Sequence, residues 1–159
     1  MIRIYVIDSC ALIDASKHYN LAKKSFQFIW NKISELFNNG ELISNIEIFN
    51  EIKDDDLKNW LNNYKNHFFI SDKNIQDNVT EILNKYPQMI KSTAKSSSSG
   101  DPFLVATALK YQKLGKNVIV VTNEKTGDET NNQYKIPNVC KKYNIPCINL
   151  NSFINEIID

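Results

Sequence analysis

The sequence predicts an α/β fold, a doubly wound sandwich whose central parallel sheet of about four to five strands carries helices on both faces. Three observations point there. Val118-Ile119-Val120-Val121-Thr122 is a β-branched run of the kind found in strands covered on both faces. Ile2 to Ile7 is a second apolar run, broken only by Arg3. Between and after these runs the apolar residues recur at helical spacing, and strands alternating with helices imply parallel pairing. The 159 residues are 42% hydrophobic and 23% charged, enough apolar material for one folded domain over 1–159 and too much for a disordered chain.

Taken in order, the first strand stops at Asp8-Ser9, a helix-capping pair for a helix from Ala11. Phe26, Ile29, Trp30, Ile33 and Phe37 mark an amphipathic helix within Leu21 to Phe37, with Asn38-Asn39-Gly40 as its left-handed stop. Glu41-Leu42-Ile43 is a candidate second strand. Ser44-Asn45-Ile46-Glu47 matches a capping box with Ser44 as cap, opening a short helix from Ile46 to about Ile52. Leu57, Trp60, Leu61 and Tyr64, then Ile75, Val79, Ile82, Leu83 and Tyr86, predict that the middle of the chain is helical. Lys95 to Gly100, with four consecutive serines, is too short for an interdomain linker and is expected to be a loop. Asp101-Pro102 predicts a helix with Asp as N-cap and Pro first inside it, ending at Gly115. After the Val118 to Thr122 strand, the polar stretch to Tyr134 is expected to be loop. Pro137 to Tyr143 is then a short helix, Cys147 to Leu150 a last strand, and Ser152 to Ile158 a closing helix.

Charge excludes some functions. Lys and Arg number 19 against 18 acids, so the net charge of +1 makes no general polyanion coat. Residues 1–80 hold 9 basic and 11 acidic residues, whereas 81–159 hold 10 and 7. Lys91, Lys95, Lys110, Lys113 and Lys125 could line a phosphate track, or simply form a solvated face. Tyr86 and Tyr134 are candidates for stacking a base, or for ordinary packing. Cys10, Cys140 and Cys147 form no C-x-x-C pair, and an odd count suits reduced thiols. His18 and His67 are too few to anchor zinc. The first residues lack the pattern of a signal peptide, and no apolar run reaches membrane-spanning length, so the expected location is cytoplasmic, with no membrane partner.

The chemistry lies in acids. In an open parallel sheet, groups just past the carboxyl ends of the strands converge on one crevice. Asp8 ends the first strand, Glu124 lies two residues past Thr122, Asp101 opens the helix leading into that strand, and Glu51 ends the short helix after the second strand. Each has a bland reading: caps for Asp8 and Asp101, a solvated helix face for Glu51, a turn for Glu124. Glu47, one turn before Glu51, belongs to the capping box. Together, converging carboxylates repel one another and would take up protons unless a cation compensates them. Oxygen ligands select hard ions, so the implied cofactor is Mg²⁺ or Mn²⁺, one or two ions, and the matching reaction is phosphodiester hydrolysis.

Tyr5-Val6-Ile7-Asp8-Ser9-Cys10-Ala11-Leu12-Ile13, then Glu51, then Gly100-Asp101-Pro102-Phe103-Leu104-Val105-Ala106-Thr107-Ala108, then Val120-Val121-Thr122-Asn123-Glu124, resembles the PIN domain over nearly the whole chain. The nearest pattern is the PIN-like branch with a helical middle and a Gly-Asp-Pro helix start. The resemblance implies a metal-dependent endoribonuclease, the toxin of a toxin–antitoxin pair, with Asp8, Glu51, Asp101 and Glu124 as catalytic metal ligands. It also places Ser9 and Thr122 as small hydroxyls beside the site, and Asn123 as the alternative at the fourth position. Cys10 stands where Asn is frequent, and Glu124 is longer than the usual Asp. The partners that fit are an RNA substrate, a cognate antitoxin protein and a second copy of the chain in a homodimer. The competing readings are a non-catalytic PIN-like module that binds RNA or protein, and a receiver-type Mg²⁺-binding signalling domain. The latter wants a second acid beside Asp8, which the sequence lacks.

Overall fold

The computed structural model describes residues 2–91 and 101–158. Five strands form one sheet in the order β3-β2-β1-β4-β5. They are β1 (Arg3–Ile7), β2 (Leu42–Asn45), β3 (Phe69–Ile70), β4 (Asn117–Val121) and β5 (Cys147–Ile148). Every neighbouring pair is parallel. The longest pairing joins β1 to β4, from Arg3 opposite Asn117 to Ile7 opposite Val121.

The chain builds outward from β1 to β2 and β3, then returns to the other side of β1 for β4 and β5. The order therefore reverses between β1 and β4, which makes their carboxyl ends the topological switch point where a crevice opens. Right-handed crossovers put the helices of the outward run on one face and those of the return run on the other. The outward run carries α1 (Ser9–His18), α2 (Gln27–Asn38), α3 (Ile46–Glu51), α4 (Asp55–Asn62) and α5 (Lys65–Phe68). The return run carries α6 (Gln76–Lys85), α7 (Gln88–Lys91), α8 (Asp101–Lys113) and α9 (Ile136–Lys142), and α10 (Leu150–Ile157) closes the chain. Val6, Ala11, Leu12, Leu104, Val105, Val120 and Val121 have essentially no exposed surface, so the sheet centre is covered on both sides. None of the helices among the described residues is long and apolar enough to cross a membrane.

The elements follow the sequence closely, with four informative differences. Helix α2 starts at Gln27, later than Leu21, because Lys24–Phe26 form a 3₁₀ turn and the Gln27 side chain donates through Nε2 to the Leu21 carbonyl at 2.6 Å. Its stop is as expected, Gly40 having φ +72°. The cap of α3 is Asn45, whose side chain accepts from the Glu47 amide at 2.8 Å. Ser44 is instead a buried strand residue whose hydroxyl donates to the Ile7 carbonyl at 2.6 Å, so β2 runs one residue further than a Ser44 cap allows. The middle of the chain is not wholly helical, since β3 pairs Phe69 and Ile70 with Ser44 and Asn45. Finally, α8 includes Asp101 as its first residue, where an N-cap would stand just outside. The serine-rich stretch 95–100 lies outside the described residues.

Candidate active site

Asp8 follows the last residue of β1, and its backbone N–H still donates across the sheet to Val121 O at 2.9 Å. Sheet pairing thus carries it to the switch point before the chain turns into α1. Its conformation is extended, and its carboxylate caps α1 by accepting from Ser9 N at 2.8 Å. The other oxygen accepts from Thr122 Oγ1 and from Cys10 Sγ, each at 2.9 Å. Only 2% of Asp8 is exposed. Burial raises its pKa, and the bonds from Cys10, Thr122 and Ser9 oppose that rise by stabilising the charged form.

The flanking hydroxyls distribute these contacts. Thr122, the residue after β4, donates to Asp8 and accepts from Glu124 N at 3.0 Å, so one buried hydroxyl links the first strand to the fourth acid. Ser9 Oγ lies 2.7 Å from Glu51 Oε2 and 3.5 Å from Asp8 Oδ1. A hydroxyl has one proton, so the short contact takes it. Ser9 thereby ties Glu51, at the end of α3, to the residue next to Asp8.

Asp101 and Glu124 share a hydrogen bond between their carboxyl groups. Two carboxylates can do so only if one is protonated. Burial, followed by the negative charges of Glu124, Asp8 and Glu51, pushes Asp101 up to about 9. The proton belongs on Asp101 in neutral solution. Glu124 is raised too, by burial and then by Asp8. The backbone N–H of Ile136, 3.2 Å from its Oε1, and the charge of Lys135 pull it back. The other three acids named from the sequence therefore lie within electrostatic reach of Asp101, and every charge acting strongly on it is negative.

Asn123 lies beside this group but points its amide elsewhere. Its nitrogen donates to Asp14 Oδ2 at 2.6 Å, and its oxygen accepts from Leu150 N at 2.8 Å, so it clips α1 to α10. Of the two, Glu124 is the one whose carboxyl meets the other acids, through its hydrogen bond with Asp101. Asp101 and Glu124 form one bonded pair of carboxyl groups, while Glu51 is tied through Ser9 to the residue beside Asp8. Among the described residues, no three His, Cys, Asp or Glu side chains are already drawn together as a metal cage.

Some contacts escape a sequence reading. Cys10 donates to Asp8 and is itself pushed up to about 12, by burial first and the Asp8 charge next. Glu47 shares a hydrogen bond with Asp72, which raises its pKa. The nearby β3 and the turn after it are what place Asp72 there, and they leave no periodic signal. Of the lysines, Lys113 is held by Glu81 at 3.2 Å and Asn78 at 3.1 Å, while Lys110 lies over the Tyr111 ring. Lys95 and the Lys91 side chain fall outside the described residues. Lys125 does border the crevice, lining a cavity of about 550 Å³ with His18, Tyr19, Thr122 and Glu124. Tyr86 and Tyr134 face each other with ring centroids 5.6 Å apart, so each ring already has a partner.

A parallel α/β sheet with buried carboxyl groups at its switch point defines a broad class of proteins. Within it, this chain belongs to the family described as a domain of unknown function (DUF4411), whose model matches residues 5–157. The chain is also 30% identical over 156 residues to the DNA-directed RNA polymerase subunit beta'' of Marchantia polymorpha; the alignment takes in 89% of this chain. It spans only 11% of the length of that relative. No solved structure matches.

Proposed function

We propose that the chain is a PIN-like, metal-dependent endoribonuclease that hydrolyses phosphodiester bonds of RNA, acting as the toxin of a toxin–antitoxin pair. The observation that carries this reading is the state of Asp101: a carboxyl kept protonated first by its burial and then by the charges of three other acids, at the sheet's switch point. A fold gains nothing in stability from keeping three acids within electrostatic reach of a buried carboxyl.

The donor set fits a hard divalent cation. Asp8, Glu51, Asp101 and Glu124 offer only oxygen, Ser9 and Thr122 add hydroxyls, and the strong influences on Asp8 and Asp101 include no ammonium or guanidinium. When bound, Mg²⁺ or Mn²⁺ would polarise the phosphodiester and offset the charge of the transition state. The protein's own groups do the rest. Ser9 N, Thr122 and Cys10 hold the Asp8 carboxyl in one orientation and favour its charged form against the effect of burial. Ser9 orients Glu51, and the Ile136 amide orients Glu124. Asp101 holds its proton in the metal-free chain and would release it to solvent if a divalent cation were bound beside it.

The paired arrangement of the carboxyl groups favours a second reading, a non-catalytic PIN-like module that binds RNA or protein. Cleavage of mixed single-stranded RNA separates the two, assayed with Mn²⁺, with a chelator, and with Asp8→Asn. The enzyme reading expects cutting in the first case alone, with the variant's circular dichroism unchanged. Cutting by a folded Asp8→Asn protein defeats the assignment.

A further inference from the structure

The cavity of about 550 Å³ beside the acids is lined by two kinds of group. On one side stand Thr122 and Glu124, which belong to the acid site. The rest of its lining comes from the end of α1, the residue after Glu124 and the start of α10: His18, Tyr19, Lys125, Asn149 and Asn151. Glu124 is the one acid on this lining, set against Lys125 and His18. Asn123 stiffens the base of the cavity, donating to Asp14 of α1 and accepting from Leu150 N of α10.

The groups around the opening have donors to spare. At the start of α10, Leu150 N and Ser152 N are taken by Asn123 and Asn149, but Asn151 N–H between them has no acceptor among the described residues. Asn149 uses only its side-chain oxygen, which leaves its amide nitrogen open. Lys125 enters no ion pair among the described residues, and nor does His18. Tyr19 is fixed without using its phenol ring's outer surface: its N–H donates to Ala15 O at 2.8 Å, its carbonyl accepts from Trp30 Nε1, and Phe26 packs on its ring in a T-shaped contact with centroids 5.6 Å apart.

We propose that this cavity is a nucleotide subsite, holding the nucleoside monophosphate unit of RNA next to the phosphate to be cut, with Lys125, His18 and Asn151 on its phosphate and Tyr19 against its base. An ammonium, an imidazole and open N–H groups suit phosphate oxygens, which only accept. An aromatic ring stacks any base, so it adds affinity without reading sequence. The volume lies within the usual range of small-ligand cavities. That this nucleotide adjoins the cut phosphate rests on the nuclease reading, through the shared Thr122 and Glu124; the capture of a nucleotide does not.

The test titrates the whole chain, in EDTA so that no metal-held phosphate contributes, with adenosine monophosphate, adenosine and inorganic phosphate, and follows the assigned amide NMR signals. The expected result is that the monophosphate binds more tightly than either fragment and moves the signals of Lys125 and Asn151. Lys125→Ala should weaken the monophosphate and phosphate alike, by roughly fivefold. Tyr19→Leu should weaken the monophosphate and adenosine by about fivefold or more and leave phosphate unchanged, with Tyr19→Phe restoring both. Lys116→Ala, just before the amino end of β4, should change nothing. No binding, signals that move elsewhere, or a monophosphate held no more tightly than phosphate overturns the proposal. Binding as described by a chain that cuts no RNA supports the nucleotide subsite and removes the nuclease reading. RNA cutting with the same KM in wild type and Lys125→Ala overturns the subsite and leaves the nuclease reading standing.

Discussion

Two carboxyl groups at opposite ends of the sheet have solved the same problem differently. At the amino end, Glu156 of α10 is partly exposed, lies 3.2 Å from the Arg3 guanidinium and accepts from Tyr5 Oη at 2.7 Å. A cation and a phenol are on hand, and water screens the rest. At the carboxyl end, Asp101 is 6% exposed and its strongest neighbours are three more acids. Its charge is removed by a proton, where that of Glu156 is matched by a partner. Surface pairing needs no further explanation, whereas the buried acids at the carboxyl end are the groups the proposed metal site would use.

The largest effect should come from supplying the missing charge. Mn²⁺ at roughly a hundred times its Kd should stabilise the wild-type chain by about 2.7 kcal/mol, or raise Tm by roughly 5–10 °C. Calorimetry should also record protons released into the buffer. An equal rise in Asp8→Asn would place the ion elsewhere. Next, Thr122→Val deletes a buried donor to Asp8 and an acceptor for Glu124 N, and urea unfolding should show a loss of about 1–3 kcal/mol. Loss of less than that would mean the site's hydrogen bonds are replaced by water.

Without metal, Asp101→Asn should stabilise the chain near pH 8 by about 1 kcal/mol, since it removes the cost of protonating the folded carboxyl and still offers a donor to Glu124. The sign follows from proton binding. Between the ordinary value of 3.8 and about 9, folded Asp101 keeps a proton that the unfolded chain has lost. Its contribution is therefore complete below the lower value and disappears as pH rises through the upper one. Metal-free wild-type Tm should fall from about pH 5 to about pH 9, and the slope should be shallower in Asp101→Asn. A slope unchanged by the substitution removes Asp101 as its cause. The smallest effect belongs to the amino end, where Glu156→Gln should move Tm by less than about 2 °C. A larger drop would erase the contrast.

Much of this was legible in the sequence because it is local. The β-branched runs announce β1 and β4, and Asp8 is visible because an apolar run ends on it. Asp101 is visible because Pro102 follows it. What stayed hidden depends on contacts between distant segments. Ser44 and Asn45 are both competent caps, and only the burial of Ser44 against Ile7 decides between them. Strand β3, at two residues, is too short to show alternation. Asn123 looked like a site residue from its neighbours, but Asp14 and Leu150 claim its amide. The likeness between a carboxylate that caps a helix and one that serves a site is itself physical: Asp8 does the first with one oxygen and presents the other to Thr122 and Cys10.

The sheet's two outermost strands, Phe69–Ile70 and Cys147–Ile148, have two residues each. So brief an edge leaves little open backbone for another chain to zip onto, which blunts the amyloid-like stacking that parallel sheets invite. Any self-association or inhibitor docking must then proceed through side chains on the helices and loops, and a peptide competing for those contacts has no reason to be extended.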